Sequence, residues 1–143
     1  MADDFATRAT PLLEPHLESG ETLRGVAAST YQKTFSGWMV AIGTTDRRLL
    51  LLGLDRKWQA KGPLQVVSDP SALAAAELDG AGNGWWTLPA AVADLHSLIL
   101  RVRTDDGERM KLTMTKGGTK LLGGESQRAG VVALAELLAA ARS

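Results

Sequence analysis

The chain has no cysteine and only two histidines, and these absences exclude several kinds of site. Without cysteine there is no thiolate nucleophile, no disulfide and no cysteine-based zinc site. His16 and His96 are far apart, with no Asp or Glu at metal-ligand spacing, so we expect no metal and no cofactor. No serine lies in a nucleophile-elbow context either. The sequence therefore predicts a protein that is not an enzyme.

An excess of charge and a long apolar run are also absent. Sixteen Lys and Arg balance sixteen Asp and Glu. A net charge of zero argues against a nucleic-acid partner, because such binding depends on phosphate neutralisation. No stretch approaches the ~20 apolar residues of a membrane helix, and the acidic segment Met1-Ala2-Asp3-Asp4-Phe5 does not fit a signal peptide. We expect a cytoplasmic protein, with peripheral attachment to a membrane as the alternative.

Apolar runs separated by turn residues dominate what is present. The 143 residues, 45% of them apolar, suffice for one packed domain. The clearest hairpin joins 97–104 to 108–115 through Asp105-Asp106-Gly107, because Asp-Gly suits the positive φ angles of tight turns. A second hairpin turns at Asp46, which can bond its own downstream backbone. Besides the two strands of the 97–115 hairpin, the expected strands are 22–30, 37–45, 47–55, 64–68 and 72–78, with 31–36 as a loop.

Two helices are expected outside this strand-rich region. Thr10 can cap a short N-terminal helix with Pro11 at its first position, which leaves 1–9 as a loose terminus. The stronger helix spans 127–142, with Ser126 as its cap. Its apolar stripe consists of Val131, Leu134, Ala135 and Leu138. The sequence thus predicts a mainly β protein: a bent, seven-stranded antiparallel sheet or barrel capped by a C-terminal helix, with a short N-terminal helix.

In this order the pieces resemble the bacterial pleckstrin-homology-like (PH-like) domains, over about residues 12–143. The matching segments are Leu17 through Glu21, the corner Thr45-Asp46-Arg47-Arg48-Leu49, the Asp106-Gly107 turn and the terminal helix. The resemblance implies a PH-like domain over 20–143, preceded by a segment 1–19 that carries the short helix. It also implies a non-catalytic module that binds lipid headgroups, peptides or protein surfaces, and some bacterial relatives assemble into rings.

Basic residues form two candidate anion-binding groups. In the hairpin at 97–115, alternation places four cations on one face, opposite an apolar face. These cations are Arg101, Arg103, Arg109 and Lys111. Lys116 and Lys120 flank glycines in a loop from which they could reach an anion. The alternative for the hairpin is a solvated face that discourages edge pairing. The alternative for the loop with Lys116 and Lys120 is a connector to the last helix. Phosphoinositide-binding relatives carry several Lys and Arg across their first two strands and the loop between them, and in that loop this chain offers only Lys33.

Aromatic residues supply the candidate interface. An exposed tryptophan can anchor a protein interface, and the alternative is that these residues only pack the core. The candidates are Phe35, Trp38, Trp85 and Trp86. We therefore expect a binding or assembly module that mediates protein–protein interaction or self-association as a homo-oligomer. The alternative function is peripheral binding of anionic lipid headgroups through the basic hairpin face.

Overall fold

The computed structural model describes residues 5–33, 36–79, 97–115 and 124–142, and within them the apolar runs form one antiparallel sheet. Its strands are β1 (Leu23–Lys33), β2 (Ser36–Thr45), β3 (Leu49–Leu54), β4 (Gln65–Val67), β5 (Glu77–Asp79), β6 (Ser97–Arg103) and β7 (Arg109–Thr115). The helices are α1 (Phe5–Leu13), which continues into a 3₁₀ turn (Glu14–His16), α2 (Pro70–Ala75) and α3 (Gly124–Arg142).

The sheet is open, with the strand order β4-β3-β2-β1-β7-β6-β5. In the described part of the chain, β1 pairs with β2 along its length but with β7 only at Thr30 and Tyr31. The main core lies between the two halves of the sheet, and α3 covers it. The predicted fold class is confirmed. A seven-stranded antiparallel sheet with a C-terminal helix and a short N-terminal helix matches the description of a PH-like fold, although the sheet does not close into a barrel.

The predicted apolar faces of the hairpin and of α3 are confirmed, since all of their residues except the half-buried Ala135 are buried in the main core. The buried residues are Leu98, Leu100, Val102, Met110, Leu112, Met114, Val131, Leu134 and Leu138.

A second apolar cluster lies on the outer face of the sheet, beneath α1. Phe5, Ala9 and Leu13 recur every four residues along α1 and are buried against this face. The prediction that 1–9 is a loose terminus and that Thr10 caps the helix is therefore wrong for residues 5–10. Pro11 lies inside the helix, and the Thr10 hydroxyl donates to Ala6 O at 2.7 Å. The apolar stripe, which the prediction did not use, determines where this helix forms.

The apolar run of β3 is unbroken because both faces of this strand are covered. All six of its residues are buried. Leu49 and Leu51 face the main core, whereas Leu50, Leu52 and Leu54 face the cluster beneath α1. A strand covered on both faces needs apolar residues at every position rather than at alternate ones.

Three predicted boundaries are wrong. The strand at 72–78 is α2 over Pro70–Ala75, and only Glu77–Asp79 is extended. The side chain of Asp69 accepts from Ser71 N at 3.0 Å, which begins the helix at Pro70. The loop at 31–36 is also wrong, because the β1–β2 ladder continues to Lys33 opposite Ser36. α3 begins at Gly124, so Ser126 is within the helix rather than its cap.

A buried ion pair fixes the corner between β2 and β3. Arg48 Nε lies 2.8 Å from Glu21 Oε2, and Arg48 Nη2 lies 2.9 Å from Glu21 Oε1. Glu21 also accepts from the Thr45 hydroxyl at 2.8 Å and from Glu18 N at 2.9 Å. The hydrogen bond from Arg48 is the main reason why the pKa of Glu21 falls from 4.5 to about 2. Two segments that carry the PH-like resemblance, 17–21 and 45–49, therefore contact each other.

α3 approaches β1 closely at two points. A Cβ on Gly130 would lie 2.3 Å from Val26 O, so the helix can cross here only with glycine at this position. The Gln127 amide accepts from Ala28 N at 2.7 Å and donates to Ala28 O at 3.0 Å. A side chain thus takes the place of a neighbouring strand along this part of the edge of β1.

Candidate functional site

The outer face of the β6–β7 hairpin is basic, as predicted. Arg101 lies directly opposite Lys111, and Arg103 lies directly opposite Arg109. All four side chains are exposed, because the residues between them face the core. Like charges directly opposite on paired strands repel each other. The hairpin therefore holds two unfavourable pairs that an anion would relieve.

Acidic neighbours neutralise only part of this face. Arg101 Nη1 forms an ion pair with Asp79 of β5. Within residues 5–33, 36–79, 97–115 and 124–142, no carboxylate forms an ion pair with Arg103, Arg109 or Lys111. The described structure thus shows no carboxylate at ion-pair distance from these three cations.

A groove of about 480 Å³ separates the basic face from α2. One wall consists of Ala72, Ala75, Ala76 and Glu77, and the other of Arg101, Val102, Arg103, Arg109, Met110 and Lys111. We call this site the basic groove. It exists because β5 begins only at Glu77, opposite Arg101. The preceding chain belongs to α2 rather than to the sheet, so in the described structure β6 beyond Arg101 has no strand on the side away from β7.

Asp105 holds the hairpin tip against the corner between β4 and α2. Asp105 N donates to Val66 O at 2.7 Å. Its carboxylate accepts from Ser68 N at 2.9 Å, from the Ser68 hydroxyl at 2.5 Å and from Asp69 N at 3.3 Å. Burial is the largest single influence on the pKa of Asp105 and would raise it, but these hydrogen bonds together with the charge of Arg48 lower it. The walls of the groove are therefore joined at one end.

Arg142 of α3 holds α2, the alanine wall of the groove, in place. Its guanidinium donates to Ala74 O at 3.2 Å and also to Ala76 O, at the C-terminal end of α2. Cations are favoured at this end of a helix, where carbonyl groups lack intrahelical partners. The position of α2 beside the hairpin thus depends on α3.

Trp38 is the only predicted aromatic interface residue within the described residues. It is half-buried, and its ring packs edge-on against Tyr31 with centroids 5.1 Å apart. Lys61 Nζ lies 5.8 Å from the centre of the same ring. The role of Trp38 in an interface stays a prediction. Five further predicted site residues lie outside the described residues: Phe35, Trp85, Trp86, Lys116 and Lys120.

Sequence reasoning found the four hairpin cations but missed the opposite wall of the groove. The segment Asp69-Pro70-Ser71 lies between the strands expected at 64–68 and 72–78, and Asp before Pro is typical of a helix start. Recognition of α2 would have placed its alanines beside the hairpin. The ion pair between Asp79 and Arg101 depends on that same correction, because it requires β5 to begin after the helix.

Comparisons with family models, with curated proteins and with solved structures found no match. None of the described helices is sufficiently long and apolar to cross a membrane. No three described His, Asp or Glu side chains lie close enough together to hold a metal ion.

Proposed function

We propose that this chain is a non-catalytic, PH-like binding module that recognises an acidic group of a protein partner in the basic groove. One observation carries the proposal: Arg103, Arg109 and Lys111 are exposed beside a groove, and none has an ion pair within the described residues. Arginine fits carboxylates well, because its fork of N–H donors can bind both oxygens of a carboxylate. Each exposed ion pair is worth only about 0–1 kcal/mol, so the site needs several cations.

The shape of the site favours a protein-borne group over a lipid surface. The groove is concave, and alanines form one of its walls. Glu77 and Asp79 border the basic face, while Asp105 and Asp106 lie at the hairpin tip. These carboxylates would repel a flat anionic membrane laid across the hairpin, whereas a single acidic side chain can enter between them.

Titration with a fluorescent hexaglutamate peptide at low salt tests the proposal. The double variant Arg103→Gln, Arg109→Gln removes two cations and keeps the side chains long. We expect its affinity for the peptide to fall about 10-fold, since two lost pairs at up to about 1 kcal/mol each amount to as much as about 2 kcal/mol. The control, Arg56→Gln with Lys57→Gln, makes the same change in net charge at two exposed residues away from the groove. Equal losses in both double variants would show attraction by overall charge and would refute the site.

Sedimentation with vesicles of phosphatidylserine and phosphatidylcholine tests the alternative function. Under our proposal the protein stays in the supernatant with these vesicles while it binds the peptide. Binding to the vesicles that the Arg103 and Arg109 variant abolishes, with no binding to hexaglutamate, would replace the protein partner by an anionic lipid.

A second candidate is self-association through the edges of the sheet. β4 and β5 end the strand order in the described structure, and each spans only three residues. Strand edges can pair with another chain. A homo-oligomer stays a prediction.

A further inference from the structure

The basic groove is closed at both ends. At one end, just before α2 begins, Ser68 N donates to the Asp105 carboxylate at 2.9 Å. At the other end, just after α2, Glu77 lies directly opposite Arg101 in the sheet. The backbone of α2, its flanking residues and the edge of β6 therefore form a closed ring around the groove. A continuous chain cannot lie along it, because it would have to leave through both ends, whereas a chain end can enter.

The lining of the groove is cationic in one part and apolar in the other. Arg103 and Arg109 lie directly opposite each other on the exposed face of the hairpin, and Lys111 also lines the groove. The apolar part of the lining consists of Ala72, Ala75, Ala76, Val102 and Met110. A ligand that matches both parts carries an anion and a small apolar group on neighbouring atoms.

The last residue of a polypeptide has this combination. Its α-carboxylate and its side chain are attached to the same Cα, so an apolar C-terminal residue presents both groups side by side. The carboxylate of Glu or Asp is instead at the tip of a side chain that has only methylene groups, and the backbone continues in both directions. The closed ends of the groove and its two-part lining therefore both favour a chain terminus over an internal acidic residue.

We propose that the basic groove binds the free C-terminus of a partner protein whose last residue is small and apolar, such as Ala or Val. This inference rests on the proposed function and specifies which acidic group the groove recognises. The α-carboxylate accepts hydrogen bonds from the guanidinium groups of Arg103 and Arg109, since a guanidinium can bind both oxygens of a carboxylate. The last side chain packs against the alanines of α2, and the preceding residues leave through the open side of the groove.

Titration with three peptides of equal length at low salt tests the inference on the unmodified protein. The first is acetyl-Gly-Gly-Gly-Ala-Val with a free carboxylate, and the second is its amide. The third, acetyl-Gly-Gly-Glu-Ala-Val-amide, has the same net charge as the first, but on an internal side chain. We expect the first to bind about 10-fold more tightly than either of the others, because it alone places a carboxylate at the two arginines and an apolar group beside it. The free-acid peptide with Gly in place of the final Val should bind about 5-fold more weakly than the first.

An NMR titration locates the bound terminus. The Nε–H signals of Arg103 and Arg109 should shift when the free-acid peptide is added, because charge-assisted hydrogen bonds form there. Nuclear Overhauser effects should connect the methyl groups of the peptide's final Val to the methyl group of Ala75. The Nε–H signal of Arg56, an exposed arginine away from the groove, should stay unchanged.

A protein variant supplies an independent readout. Ala75 is exposed and lines the groove, so Ala75→Leu should fill it without a change in charge. We expect this variant to bind the free-acid peptide about 10-fold more weakly. Ala140→Leu adds the same group at an exposed position of α3 outside the groove and should leave binding unchanged. If Ala75→Leu does not fold, the comparison of the three peptides still decides.

The outcomes separate this inference from the proposed function. Equal affinities for the free-acid peptide and the internal Glu peptide would overturn recognition of a chain terminus, and so would a folded Ala75→Leu variant that binds as the unmodified protein does. Amidated hexaglutamate has no free terminus and therefore reports on the proposed function alone. If the Arg103→Gln, Arg109→Gln variant binds it less tightly than the control variant does, the proposed function stands without the inference. If neither the free-acid peptide nor hexaglutamate binds, both are overturned.

Discussion

The buried ion pair between Glu21 and Arg48 should make the stability of the protein depend strongly on pH. In the folded state the pKa of Glu21 is about 2, compared with 4.5 for the free side chain. Because the folded value is the lower one, the ionised carboxylate stabilises the fold fully above pH 4.5. That contribution is lost as the pH falls toward 2. The Glu21 side chain is fully buried, and the change is worth roughly 3 kcal/mol at about 1.36 kcal/mol per pKa unit.

Replacement of Glu21 by Gln tests this magnitude. The change leaves the Arg48 guanidinium, whose side chain is only 13% exposed, without its carboxylate. We expect a loss of about 3–5 kcal/mol in the free energy of unfolding at pH 7, as is usual when one partner of a buried pair is removed. The loss should shrink as the pH approaches 2, because Glu21 of the unmodified protein is then protonated as well.

Urea unfolding followed by circular dichroism between pH 2 and pH 7 is the measurement. Glu14→Gln removes an exposed carboxylate from the neighbouring 3₁₀ turn and should change stability by less than about 0.5 kcal/mol. The double change Glu21→Gln with Arg48→Met should recover part of the loss, since no unpaired charge remains. A deficit of Glu21→Gln that stays constant across this pH range would refute the reasoning, because packing alone would then explain it.

Three further predictions concern packing and assembly. Leu134→Ala should lower the free energy of unfolding by about 2–5 kcal/mol in the same assay, because it leaves a cavity beneath α3; a change no larger than that of the half-buried Leu137→Ala would contradict this placement of the helix. Gly130→Ala should cost about 1–3 kcal/mol, since its new methyl group would meet Val26 O and force α3 away from β1; unchanged stability would show that the helix can move freely. Light scattering at micromolar concentration should reveal a homo-oligomer, and a strictly monomeric mass at high concentration would remove self-association.

The parts of the fold that follow from local patterns were predictable from the sequence. Strict alternation in 97–115 determines which side chains of the hairpin are buried, and the three- and four-residue spacing of Leu134 and Leu138 determines the buried face of α3. The basic face follows directly, because cations at alternate positions must point away from the core. These inferences need no knowledge of what lies across the sheet.

The remaining parts depend on contacts between distant segments. α2 is only six residues long and alanine-rich, and it packs against α3, which is distant in the sequence. Glu21 and Arg48 are 27 positions apart, and nothing local shows that they meet. Prediction of the groove needs both kinds of information: local alternation for its basic wall, and tertiary packing for its alanine wall.

The two hydrogen bonds between the Gln127 amide and the Ala28 backbone have a consequence for folding during synthesis. The two residues are separated by 99 positions. At roughly 5–20 residues per second, a ribosome needs about 5–20 s to add that much chain. Throughout this interval the backbone of Ala28 lacks its amide partner, although β2 and β3 are synthesised early in it. Nascent chains that stop before residue 124 should therefore bind chaperones or aggregate, and this vulnerability should end when α3 is made.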